Sequence, residues 1–182
     1  MVEASPQEGD VVRMWFRVIF LSLLAIGLSG CVLETRTPLF ADADARPLLA
    51  DYPNPAAYER DEGGWIKSEE QIGFTPEASH YLVTPDTSKM QIFFVPLEGP
   101  WWILQAVEPA GSTTYLLAKA EAKELLLYPL DCKSLEDSGK YGDAIDFEDL
   151  SCFIKTGTDT MALFKSFTAD LTEPSTKLLS EP

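Results

Sequence analysis

Basic side chains are scarce in this chain. Its 182 residues hold 14 Lys and Arg against 29 Asp and Glu, a formal net charge of −15 at pH 7. Binding a nucleic-acid backbone or an anionic headgroup layer needs clustered Lys and Arg, so the charge excludes both classes of partner. Histidine occurs once, at His80. The GxSxG elbow, the SxxK pair and the HExxH metal motif are absent, and Gly139 and Gly142 flank Lys140-Tyr141 without forming a phosphate loop. An apolar run of the roughly 20 residues that a transmembrane helix requires is also missing. The longest such run, Val18 to Leu28, is too short to span a bilayer comfortably. No internal repeat stands out.

What is present at the amino end is more specific. Arg13 and Arg17 precede the apolar run and small residues follow it, which is the n-region, h-region and cleavage-site order of a secretory signal. The segment closes with Leu28-Ser29-Gly30-Cys31, and these four residues resemble the lipobox of bacterial lipoproteins. The resemblance implies a diacylglyceryl group on the Cys31 sulfur, cleavage just before that residue, and acylation of the new amino terminus. Residues 1–30 would then be a signal peptide, and lipidated Cys31 the contact with the membrane. Two or more acyl chains anchor stably where one binds only marginally. Residues 1–10 carry Glu3, Glu8 and Asp10 and no basic residue, contrary to an n-region. A translation start at Met14 removes that conflict. Val32 stands where aspartate commonly marks inner-membrane retention, so the resemblance implies the outer membrane, facing the periplasm.

Removing residues 1–30 takes away two basic and three acidic residues, leaving 152 residues with a net charge of −14. That length suits one domain with a real core. Lipidation would consume one of three cysteines, and export would put the remaining pair, Cys132 and Cys152, in an oxidising compartment where a disulfide is expected. Closing a loop of about 20 residues contributes on the order of 3 kcal/mol. Two cysteines and His80 fall short of the four ligands of a zinc site. No metal and no cofactor is expected.

Residues 31–55 read as a lipidated end and flexible tether, because Pro38, Pro47, Pro53 and Pro55 interrupt any helix. Leu48, Leu49 and Tyr52 are the residues there able to pack back. Residues 56–182 form the expected globular domain. Short strands are predicted at Trp65–Lys67 and His80–Thr84, and stronger ones at Met90–Val95, Trp101–Val107, Thr114–Lys119 and Lys123–Tyr128, separated by turn residues. Links this short favour antiparallel pairing. The run WWILQAV places apolar residues on both faces, as expected of a sheet covered on both sides or curled around its own interior. A helical turn is predicted near Leu135, a short strand at Cys152–Lys155, a helix from an N-cap at Thr158 to Phe167, and an extended piece at Lys177–Leu179. The predicted class is α+β, mainly β: an antiparallel meander of about five strands with one C-terminal helix packed on it.

Few constellations suggest chemistry. Asp143, Asp146, Glu148 and Asp149 lack the spacing and glycine of a calcium loop and read as a solvated acidic loop. Glu69 and Glu70 read as surface charge, and His80 as a packed or surface histidine. Phe93, Phe94, Trp101, Trp102, Tyr115 and Tyr128 lie on adjacent predicted strands, where they either fill a core or line a pocket for an apolar ligand. The expected function is non-enzymatic: a structural or interaction module whose partner is another envelope protein. The alternative is a carrier or sensor of a small apolar molecule held by those aromatics.

Overall fold

The central strands bury both of their faces. In a computed structural model, residues 32–69, 72–84, 89–109, 111–148, 151–171 and 173–180 are described. The elements run β1 (Leu33–Thr35), β2 (Pro55–Asp61), β3 (Gly64–Lys67), β4 (Gly73–Pro76), β5 (Tyr81–Thr84), β6 (Gln91–Pro96), β7 (Trp101–Val107), β8 (Thr113–Ala120), β9 (Glu124–Pro129), α1 (Cys132–Asp137), β10 (Ile145–Glu148), β11 (Ser151–Ile154), α2 (Thr160–Phe167) and β12 (Thr176–Ser180). Along β7, Trp101 and Ile103 point into one apolar core, while Trp102, Leu104 and Ala106 point into another. β8 repeats this with Tyr115 and Leu117 against Leu116 and Ala118. The mainly β, antiparallel character expected from the sequence is therefore present.

The strand number is corrected from about five to twelve among the described residues, all in one connected sheet. Nine of them follow the order β3-β2-β12-β9-β8-β7-β6-β5-β4, each pair antiparallel. Laid flat, eight strand spacings would hold β3 and β4 about 38 Å apart. Five residues separate Lys67 from Gly73, and the six steps between them reach at most about 21 Å. The sheet has to curl, and its concave face holds Ala57, Tyr81, Ile92, Phe94, Leu104, Leu125, Leu127 and Leu178. The β6–β7 turn is set by Gly99, whose φ of +59° is a conformation costly for residues with a Cβ.

The convex face carries a second layer. β1 pairs antiparallel with β8 and parallel with β11, and β10 pairs with β11. The parallel pair was not anticipated. With α1 and α2 these strands enclose Leu33, Phe40, Tyr115, Leu117, Cys132, Cys152, Phe164 and Phe167. Cys132 and Cys152 are bonded to each other, their Cα atoms 5.6 Å apart.

Besides the expected C-terminal helix, α2, and α1 at the helical turn expected near Leu135, the described residues hold two 3₁₀ turns, at Asp42–Asp44 and Leu48–Asp51. In α2, Leu163, Phe164 and Phe167 are buried at the expected spacing. Its N-cap is Asp159 rather than Thr158: the carboxylate accepts from the Ala162 N–H at 3.1 Å and meets the positive end of the helix. Asp131 caps α1 similarly, accepting from the Ser134 N–H at 2.8 Å.

Residues 32–55, expected to be a tether, are part of the fold. Leu33 is fully buried, and its N–H donates to the Leu130 carbonyl at 3.0 Å. Phe40 and Ala45 are buried, and Leu48, Leu49 and Tyr52 enter the concave core. The prolines mark turns between short packed pieces; they do not release the chain. The signal segment, Met14 and Cys31 lie outside the described residues. No helix among the described residues is long and apolar enough to cross a membrane.

Candidate functional site

Strands distant in sequence meet around Glu34. On β1 it faces Thr114 of β8 on one side and Phe153 of β11 on the other. Beyond it an open cleft of about 320 Å³ is lined by Glu34, Thr35, Arg36, Gly111, Ser112 and Phe153. Arg36 follows the end of β1 in a bend and lines the same cleft as Glu34.

Burial raises the Glu34 carboxyl above its ordinary value, and the nearby Glu108 charge adds to this. The Ser112 hydroxyl, donating at 3.5 Å, opposes the shift weakly. From the lining residue Thr35 a hydrogen-bond network leads away from the cleft into the core. The Thr35 hydroxyl donates to the Thr37 carbonyl at 2.7 Å and meets the Tyr115 hydroxyl at 2.9 Å. The Leu39 N–H donates to that tyrosine oxygen at 3.0 Å. Burial raises the Tyr115 pKa, against the lowering effect of these bonds. Gln105, fully buried, receives the Leu39 and Phe40 N–H groups, each at 3.1 Å.

A carboxyl, a guanidinium and a hydroxyl around an open cleft can hold a small polar group. The titratable group beside the Ser112 hydroxyl is the Glu34 carboxylate, 3.5 Å away. The only histidine lies elsewhere: His80, just before β5, stacks on Phe93 with ring centroids 5.0 Å apart, and its Nδ1 is buried without a hydrogen-bond partner.

The six aromatic residues do not share one interior. Tyr115 and Tyr128 are buried in the convex core, where Trp101 packs on Tyr128 at 5.3 Å. Phe94 and Trp102 belong to the concave core, and Phe93 packs with His80. None of them lines the cleft. Their division follows from strand alternation, since adjacent residues such as Trp101 and Trp102 point to opposite faces.

Asp146 and Glu148 sit on the exposed side of β10, alternating with Ile145 and Phe147, and Asp146 pairs with Lys155 at 3.4 Å. Asp149 and Glu70 lie outside the described residues. Among the described residues no three metal-capable side chains come together. The cleft residues Glu34, Arg36, Ser112 and Phe153 were not singled out in the sequence. The alternation in Leu33-Glu34-Thr35 was their one local signal, and the surrounding prolines obscured it. Compared with protein-family models, curated proteins and solved structures, the chain finds no match.

Proposed function

We propose that this chain is a lipid-anchored bacterial envelope protein whose folded domain is a non-enzymatic interaction module, held by Cys31 at the outer membrane and facing the periplasm. The observation that carries the reading is the Cys132–Cys152 bond. Stable disulfides belong to oxidising compartments, so the bond supports export independently of the lipobox. It also leaves Cys31 as the third cysteine, with a thiol for the acyl chain.

An interaction role is supported by how the aromatics are used. Five of them fill two cores and Phe93 stacks on His80, which disfavours the alternative of an apolar ligand held among them. At one end of the nine-strand path, β3 exposes Ile66 to 55%. An edge strand bearing an exposed apolar side chain is a natural place for a partner protein to add.

Mass spectrometry of the full chain purified from membranes tests the anchor. A mature amino-terminal peptide beginning at Cys31 with two or three acyl chains is expected, and Cys31→Ala should release the protein from the membrane. Retention of residues 14–30 in the mature protein would refute it. A photo-crosslinker at position 66 should capture an envelope protein. A small molecule co-purifying with the domain would favour the carrier alternative.

A further inference from the structure

The anchor and the fold leave no room for a tether between them. Val32 already forms a bridge with Asp131, and Leu33 is fully buried between β8 and β11. A flexible tether spanning residues 31–55 would have let the domain wander roughly 27 Å from its anchor. One trans peptide bond places Cys31 and Val32 Cα atoms about 3.8 Å apart instead.

Resting on the reading of Cys31 as the lipidated residue, we infer that the domain stands directly on the bilayer, with the surface around Val32, Asp131 and Lys133 turned towards the lipid headgroups. A rigid body held through a strand locked in its sheet cannot turn freely about its anchor. Asp131 is fixed in turn, because its carboxylate caps α1 through the Ser134 N–H at 2.8 Å and accepts from the Ser134 hydroxyl at 2.7 Å. Lys133, exposed in the first turn of α1, lies on this face and marks whether it is covered.

The arrangement also limits what the module can meet. A folded chain of about 150 residues has a radius of gyration near 15 Å, so its far side stands only about 40 Å from the headgroups. Any partner must therefore meet the domain within about 40 Å of the membrane surface.

The test uses the lipidated full chain in phosphatidylethanolamine/phosphatidylglycerol vesicles, treated with a membrane-impermeant lysine-acylating reagent and mapped by peptide mass spectrometry. Lys133 should react severalfold more slowly than in a form with ten Gly/Ser residues inserted between Cys31 and Val32. Lys123, exposed at the β8–β9 turn, should react at similar rates in both. If Lys133 reacts equally in the two forms while Cys31 carries acyl chains, direct seating is wrong and the anchor stands. If Cys31 carries no lipid, both readings fall.

Discussion

The side-chain amide of Gln105 and the backbone of Phe40 exchange two hydrogen bonds: the amide oxygen accepts from the Phe40 N–H and the amide nitrogen donates to the Phe40 carbonyl, each at 3.1 Å. The glutamine thus acts as one rung of a β-ladder, fastening residues 35–40 to β7 where no strand runs. Leaving buried backbone groups unpaired costs about 1–3 kcal/mol each. Gln105→Leu, which keeps the volume and removes the bonds, should lower unfolding stability by about 2–4 kcal/mol. Urea melts of the two proteins measure it, and a loss below about 1 kcal/mol would show that the segment is held by other contacts.

Reducing the Cys132–Cys152 bond should also destabilise the domain. Both residues are buried, and the bond closes a 20-residue separation between α1 and β11. The expected loss is about 3 kcal/mol, read as the difference in denaturant midpoint between oxidised and reduced protein.

Phe164 is one of the three buried side chains, with Leu163 and Phe167, that hold α2 to the sheet. It is fully buried, and its ring lies 6.0 Å from Phe40, 5.5 Å from Tyr115 and 5.7 Å from Phe167. Phe164→Ala should cost about 3–5 kcal/mol. Met161, exposed on the same helix, should tolerate alanine within about 0.5 kcal/mol. Similar effects at both positions would mean that the helix does not depend on this face.

Two acids with raised pKa values should leave their marks at different ends of the pH scale. The native state raises the Glu34 pKa, so it holds that proton more tightly than the unfolded chain. The corresponding stability is present below about pH 4.5 and is lost as pH rises through the native value. Glu34→Gln should therefore raise the midpoint at pH 7 and give no gain at pH 3. Tyr141 is raised to about 12, chiefly by burial and by donating to the Asp170 carboxylate. Its contribution should persist up to about pH 10 and fade between about pH 10 and 12. Tyr141→Phe should flatten that alkaline phase, and an unchanged slope would count against the assignment.

Much of the meander was readable because its strands carry their own punctuation. The runs at 90–95, 101–107, 114–119 and 123–128 are apolar, short and separated by glycine, proline or acidic turns, and all four are strands. Doubled apolar faces such as Trp101-Trp102 correctly signalled a sheet covered on both sides. The lead-in was misread because a three-residue strand has too little length for periodicity, and Pro38 and Pro47 look alike in a tether and in a packed corner. β2 was missed because Pro55-Ala56-Ala57 begins it and Glu59-Arg60-Asp61 ends it, neither favouring a strand. It is a strand because β12 and β3 pair with it on either side. β10 does alternate, Ile145 and Phe147 against Asp146 and Glu148, but four residues inside an acidic stretch read as loop. The cleft is a meeting of β1, β8 and β11, so no local pattern could have drawn it.

The slot that holds β1 has walls made long after β1 itself. Glu34 pairs with Thr114, about 80 residues later, and with Phe153, about 120 residues later. Hairpins such as those of β6–β9 close in microseconds, far faster than pairings between such distant segments. Contacts this distant in sequence slow the closing step of folding. β1 is seated only once the chain as far as Phe153 can fold onto it.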